Sequence, residues 1–361
     1  MKTSDNIKQI IISKAHFANT IGIFLIACSQ LIAFKSKAQD LHFSQFWMTP
    51  VMQNPSLVGI GHDMQAIVNY KDQWRSIASP YKTFDVSFDM KLNKKKAIKG
   101  FWAAGINIFA DKAGDAQMGT TLGDLNVAYH IKINTKSTLG GGLMGGFGQR
   151  SINYSKLEWS SQYDGTAYNS SLQTGEELNT TKYTYADVGA GLVWAYKKGE
   201  AYIAGNDQML ANAGIAVFHL NQPKYSFLKS KEKLYMKTII HANVLYGIKN
   251  TNLSIVPGFV VSLQGTANEI MVGTMLRYTT KESSKYTSYA KGSAISLGLH
   301  YRNRDALVTS ALYEMGPYAI GISYDANISG LKTVSTGRGG LEISLRFVNP
   351  NPFHHSTPRL N

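Results

Sequence analysis

The stretch YKTFDVSFDMK, residues 81–91, decides the fold. In an extended chain Phe84, Val86, Phe88 and Met90 fall on one face, and Asp85, Ser87, Asp89 and Lys91 on the other. A period of two marks a strand, here with one apolar face and one polar face. The pattern returns downstream. Leu125, Val127, Tyr129 and Ile131 oppose Asn126, Ala128, His130 and Lys132, and Ile295, Leu297, Leu299 and Tyr301 oppose Ser296, Gly298 and His300. Tyr318, Ile320, Ile322 and Tyr324 oppose Ala319, Gly321, Ser323 and Asp325. In the last such stretch Leu341, Ile343, Leu345 and Phe347 oppose Glu342, Ser344 and Arg346.

A two-sheet sandwich would alternate as well. What separates the two folds is charge placed repeatedly at mid-strand in the non-apolar register. A polar lumen accommodates such residues, whereas facing lipid at mid-depth they would cost a few kcal/mol each. Closure into a ring also removes the unpaired edges that so much strand-forming sequence would otherwise expose. The sequence therefore predicts an all-β fold, a transmembrane antiparallel outer-membrane β-barrel of about 14 strands. The predicted spans are 63–70, 82–92, 99–110, 122–133, 138–149, 184–197, 210–220, 237–248, 251–262, 268–279, 293–301, 306–313, 317–326 and 339–348. With both ends of the barrel sequence in the periplasm, the long connections 149–182, 221–236 and 327–340 fall outside the cell. The connection 280–292 is the exception: it falls on the periplasmic side, which requires either a long periplasmic loop or a different strand count near it.

Around this barrel the chain reads as a leader and one domain. Lys2, Lys8 and Lys14 precede a mostly apolar run from Phe17 to Phe34, then Ser36-Lys37-Ala38. Small residues at the −3 and −1 positions predict signal-peptidase cleavage between Ala38 and Gln39. A competing lipoprotein-like box, Leu25-Ile26-Ala27-Cys28, would strand the apolar Leu31–Phe34 ahead of the mature segment. The expected organisation is thus a signal peptide over 1–38 and a single barrel domain over 39–361, with an N-terminal segment at 39–61 and a periplasmic tail at 349–361. Pro50 and Pro55 argue against a long helix in the first, and Pro350, Pro352 and Pro358 keep the second from extending a strand.

Cys28 is the only cysteine, so residues 39–361 can form no internal disulfide and no cysteine-based metal site. The formal charge of the whole chain is +14, and beyond residue 38 there remain 32 basic and 22 acidic residues. The basic ones are scattered through short turns such as Asn93-Lys94-Lys95-Lys96, which describes a rim facing solvent or lipid headgroups; no nucleic acid is expected as a partner.

Catalytic chemistry is thinly represented. The histidines form no HExxH-like ligand motif. GGGLMGGFG, residues 140–148, lacks the Gly-Lys-Ser/Thr ending of a phosphate loop and reads as glycine-permitted close packing within a strand. No cofactor and no metal are expected, and no enzymatic activity. Asp85, Asp89, His130, His300, Asp325, Glu342 and Arg346 are the candidate lumen residues. They mix both charge signs, so the sequence predicts an occluded lumen, with 39–61 as the candidate segment to fold inside it. Lumen acids, among them Asp85, Asp89, Asp187 and Glu342, are expected to pair with Lys91, Arg304 or Arg346. Trp102 and Trp194 read as interface aromatics.

HFSQF (His42, Phe43, Ser44, Gln45, Phe46), NPSLVG from Asn54 and Pro55 to Gly59, YKDQW ending in Gln73 and Trp74, and YKTFDVSFD at 81–89 resemble the N-terminal signature of the PorP/SprF family. GDLNVAYHI at 123–131, FHLNQP at 218–223, LHYRNRDAL at 299–307 and ISYDANISGL at 322–331 follow in the family's order. Leu41 stands where proline is common in that signature, and the tail lacks the cysteine that some members carry. The resemblance implies a non-enzymatic barrel of the cell outer membrane that serves type IX secretion, surface adhesin delivery or gliding motility. It implies type IX secretion apparatus proteins, a peptidoglycan-associated lipoprotein and secreted adhesin cargo as partners, beside outer membrane lipid. His42–Phe46, Asn54, Pro55, Gln73 and Trp74 then become candidates for a recognition segment. The alternative is an outer-membrane diffusion channel or hydrophobic-solute transporter of the same architecture. An outer-membrane hydrolase would need acids and a histidine clustered at one rim.

Overall fold

The computed structural model describes residues 42–75, 79–93, 99–175, 181–199, 206–227, 232–282, 292–330 and 332–349. The predicted cleavage site at Ala38 and Gln39, Leu41 and the tail beyond Asn349 lie outside them. The described residues form fourteen strands: β1 (Met64–Gln73), β2 (Tyr81–Lys91), β3 (Gly100–Ala113), β4 (Met118–Lys132), β5 (Ser137–Ser151), β6 (Lys182–Lys198), β7 (Met209–Phe218), β8 (Lys237–Gly247), β9 (Leu253–Gln264), β10 (Ala267–Lys281), β11 (Ser293–Arg302), β12 (Ala306–Met315), β13 (Tyr318–Asn327) and β14 (Arg338–Asn349). Each strand neighbours the next in sequence, and β14 returns to β1, closing an antiparallel barrel. The closing register runs from Met64 opposite Asn349 to Gln73 opposite Gly340.

The two faces differ as the alternation requires. On β2 Phe84 is 43% exposed and its neighbour Asp85 is fully buried; on β14 Ile343 is 41% exposed and Glu342 is 1% exposed. Exposed Leu, Ile, Val, Phe and Tyr side chains recur around the ring, from Leu125 and Leu143 through Leu192, Leu276 and Leu297 to Leu345. A continuous apolar belt of this kind is far larger than a water-soluble monomer carries, and lipid is the solvent that matches it. The protein is accordingly an outer-membrane barrel. Trp102 packs against Tyr129 and Trp194 against Tyr196 near one rim of the belt, where Tyr246, Tyr278, Tyr313 and Tyr318 are exposed as well. These amphipathic rings match the aromatic girdle of the membrane interface.

Several strands outrun their predicted bounds. β3 and β4 continue to Ala113 and from Met118, so the turn between them shrinks to 114–117, with Gly114 and Gln117 both at positive φ. The ladder there no longer needs lipid-facing apolar residues, and Thr120 and Thr121 carry it beyond the hydrophobic belt. The connections 152–181, 219–236 and 328–337 share one end of the barrel. Long loops mark the outward-facing end of bacterial barrels. Both ends of the described barrel sequence, near Met64 and Asn349, lie at the opposite end, as does the connection 282–292. That longer inner connection is a genuine departure from the usual short periplasmic turns.

Candidate functional site in the barrel lumen

Residues 42–61 occupy the lumen. Three short turns keep the segment compact: a 3-10 turn at Phe46–Met48, one helical turn at Pro50–Gln53 and a second 3-10 turn at Pro55–Leu57. Proline suits the first position of the latter two because the N–H it lacks would be unpaired there anyway. The segment runs from the outer end of the barrel to its inner end, and each part has its own anchor.

The outermost anchor is ionic. The Glu342 carboxylate accepts the backbone N–H of Ser44 at 2.7 Å and of Gln45 at 2.9 Å, and the Lys71 ammonium lies 3.0 Å from it. Lys71 also donates to the His42 carbonyl at 3.1 Å. Arg302 donates to the Ser44 hydroxyl at 2.9 Å and pairs with Asp325 at 2.8 Å and Asp305 at 2.6 Å. The Ser44 hydroxyl in turn donates to Asp325 at 2.7 Å, and His42 pairs with Glu269 at 2.8 Å. Buried charges persist only when paired and hydrogen-bonded, and here barrel cations and anions complete one another around the entering chain.

Below it the segment presents apolar side chains. Phe46 joins a cluster with Met144, Phe218, Ile239 and Met271; Met48 packs with Ile67 and Leu312; Val51 and Val58 pack with Ala103 and Ala128. Each buried side chain of this size contributes about 2 kcal/mol. Trp47 stacks on His300 with ring centroids 4.6 Å apart. The Met48 carbonyl accepts from Asn69, and Gln53 donates to the Phe46 carbonyl.

A third set of anchors begins at Asn54. Its amide nitrogen lies 2.9 Å from the Leu192 carbonyl and 3.1 Å from His241 Nε2, while its oxygen accepts the N–H and hydroxyl of Ser56. His130 hydrogen-bonds the Val58 carbonyl at 2.8 Å, and Asp89 accepts the Gly59 N–H at 2.8 Å and pairs with His62. The wall is glycine-rich where this part touches it. A Cβ at Gly142 would lie 2.5 Å from Ser56 N and 2.7 Å from the Pro55 carbonyl, and one at Gly214 would lie 2.7 Å from the Asn54 amide. Gly140, Gly142, Gly146 and Gly148 thus serve close packing, with Gly142 admitting the backbone of the inserted segment, whereas a Cβ at Gly145 would meet nothing within 4 Å.

The candidate lumen residues Asp85, Asp89, His130, His300, Asp325, Glu342 and Arg346 all point inward and are buried, but they do not converge on one centre. Their pairing differs from the expected one. Lys91 pairs with Asp63 rather than with a lumen acid, and Arg304 sits exposed in a turn at positive φ. The basic partner near that turn is Arg302, which has the inward parity of His300. Arg346 joins Arg277 on Glu314, at 2.9 Å and 2.6 Å. Asp85 accepts from Asn69 at 3.0 Å, and Asp187 pairs with His219 at 2.9 Å, neither with an Arg or Lys among the described residues.

Of the candidate recognition residues, Phe43, Ser44, Gln45, Phe46, Asn54 and Pro55 are buried in the lumen, and His42 is half-buried at its outer end. Their contacts hold the segment in place. Gln73 and Trp74 lie apart from these, at the outer end of β1, with Trp74 edge-on to Tyr81. The sequence reading missed Lys71, Arg302 and His241. Parity with an inward neighbour would have found Arg302, and Lys71 alternates with the lipid-facing Tyr70. Among the described residues no group of three or more His, Cys, Asp or Glu side chains is placed to hold a metal ion.

A lipid-belted, closed barrel with its own N-terminal segment folded into its lumen defines a plugged outer-membrane protein. The chain belongs to the family of the type IX secretion system membrane protein PorP/SprF, whose model matches residues 35–347. No curated protein matches it. Among solved structures it is similar to a Pseudomonas aeruginosa FadL homologue, at 10% identity over 84% of this chain and 94% of that one, with a TM-score of 0.47. The Ralstonia pickettii toluene transporter TbuX matches at 12% identity over 84% and 94%, with a TM-score of 0.42. The Acinetobacter baumannii outer membrane protein Omp33 matches at 7% identity over 80% and 98%, with a TM-score of 0.38.

Proposed function

We propose that this protein is a non-enzymatic barrel that serves type IX secretion as a fixed platform in the outer membrane, holding or delivering secreted adhesins at the cell surface. Its partners in this reading are apparatus proteins, a peptidoglycan-associated lipoprotein and the cargo itself. Family membership supports the system, and the tethered segment 42–61 carries the platform reading. Lys71, Arg302, Asp325 and Glu342 tie that segment to β1, β11, β13 and β14 at the outer end. A lumen closed by the chain itself is not a route for a folded passenger, so the surfaces left for partners are the loops and the two rims.

The test is deletion in a bacterium with type IX secretion, with complementation by the wild-type chain and by a variant in which loop 152–175 is shortened. Adhesin should disappear from the surface on deletion, as read by protease shaving of whole cells, and return with the wild-type chain. Unchanged surface adhesin in the deletion strain would sink the reading.

A diffusion channel or hydrophobic-solute transporter is the second reading. A cavity of about 860 Å³ beneath the inserted segment favours it. Uptake of a small aromatic solute that falls on deletion, with adhesin unaffected, would select it.

A further inference from the structure

The cavity beneath the segment has a chemistry of its own. Phe46, Trp47, Pro50 and Leu57 form its roof, and Phe101, Leu245, Met275 and Leu312 continue the apolar lining onto the barrel wall. Its charged lining is one-sided. Lys91, Lys99, Lys132, Lys136, Lys197, Arg277 and Arg346 line it, and among the described lining residues Glu314 is the only acid. Glu314 is already shared between Arg277 and Arg346. Arg277 is buried, yet its Nη2 meets no hydrogen-bond acceptor among the described residues. Lys99, Lys136 and Lys197 are exposed and stand at the inner end of the barrel, where the cavity opens.

An apolar roof over a cationic mouth fits one class of molecule. We infer that this cavity binds an acid-headed amphiphile, its carboxylate or phosphate among Lys99, Lys136 and Lys197 and its hydrocarbon body against Phe46, Trp47 and Leu57. The volume lies within the usual range for small-molecule sites, roughly 300–1,000 Å³. A neutral hydrocarbon would gain nothing from the exposed lysines at the mouth, and a small hydrophilic anion would leave the apolar roof wet. Because the inserted segment forms the roof, the ligand would be held beneath it without passing through. The inference stands apart from the secretion role and does not require it.

Binding is read from the fluorescence of Trp47 in the full-length protein, in a fixed concentration of non-ionic detergent, with a Trp47→Phe variant to assign the signal. The probes are palmitate, its methyl ester and hexadecyl phosphate. Palmitate and hexadecyl phosphate should saturate the signal, with the ester at least about tenfold weaker, and Lys99→Gln/Lys136→Gln/Lys197→Gln should weaken both acids by about tenfold. Nanodiscs containing phosphatidylglycerol distinguish the source. Competition there identifies a membrane lipid as the occupant, and undiminished palmitate binding identifies a free acid. The inference is overturned by an ester that binds as well as the acid, by a triple variant that binds normally, or by no saturable change. Binding that appears only after removal of residues 351–361 also overturns it, since the chain's own tail would then be the occupant.

Discussion

At the scale of single residues, Arg302 and Gly142 bear most on how the segment is held. Arg302 bridges Ser44 and Asp325, so Arg302→Met leaves the buried Asp325 carboxylate without its guanidinium. Removing one partner of a buried pair costs about 3–5 kcal/mol, much of it from the charge left behind. Arg302→Met is therefore expected to lower markedly the temperature at which the folded barrel loses its fast gel mobility. Adding Asp325→Asn should recover part of the loss, and a double variant no better than the single one would refute this coupling. Gly142 has no room for a side chain against Pro55 and Ser56. Gly142→Leu should displace the inserted turn while leaving the barrel intact. A cysteine introduced as Ser56→Cys reports it, going from protected to readily labelled by a maleimide; continued protection would show that the turn does not pack there. The glycine run was legible in the sequence as close packing, but its partner was not. Asn54 and Gly214 or Ser44 and Arg302 meet only after the ring closes, and no local pattern announces contacts across such separations. Arg304 was the wrong arginine for a related reason. Parity assigns Arg302 inward, while Arg304 falls in the turn after β11, where parity stops applying.

At the scale of elements, the strands were legible because lipid imposes the same rule on every one of them. One face must be apolar and the other is free to be polar, so the pattern of β14 reads directly as Leu341, Ile343 and Leu345 outward and Glu342, Ser344 and Arg346 inward. Strand ends were less legible, since β3 and β4 continue beyond the belt on hydrogen bonding alone. The inserted segment was hardest to read. Its short turns bury Phe46, Met48, Val51 and Val58 at spacings belonging to no regular periodicity, leaving only the prolines as signals. For β14 the expected outcome is sharp. Ile343 faces lipid at mid-strand, opposite Tyr70 on β1 and Ile322 on β13. Ile343→Arg should cost about 2–4 kcal/mol if it lies at the midplane. With Leu345→Arg added, the protein should fail to reach the outer membrane, as read by fractionation and heat-modifiability. Ser344→Thr, on the inner face, serves as the matched control. Normal amounts of the doubly substituted barrel would mean that this face does not meet lipid.

At the scale of the whole molecule, two layers divide the work. Outside, an apolar belt flanked by Trp and Tyr fixes the barrel in the membrane. Inside, the usual polar lumen is replaced by a folded piece of the same chain, held by charge at its outer end, by apolar packing in the middle and by Asn54, His130 and Asp89 further in. This arrangement makes closure the resting state and gives the segment a reason to stay. Withdrawal would strip buried Glu342 of the Ser44 and Gln45 N–H donors and Lys71 of the His42 carbonyl, leaving only the wall's own ion pairs. Single-channel recording of the purified full-length protein in planar bilayers tests this directly, beside a variant lacking residues 42–58. The wild-type protein should show no large, steady conductance, and the variant, once shown to be a folded barrel by heat-modifiability, should conduct. Large and persistent wild-type currents, equal to those of the variant, would contradict a lumen closed by its own N-terminal segment.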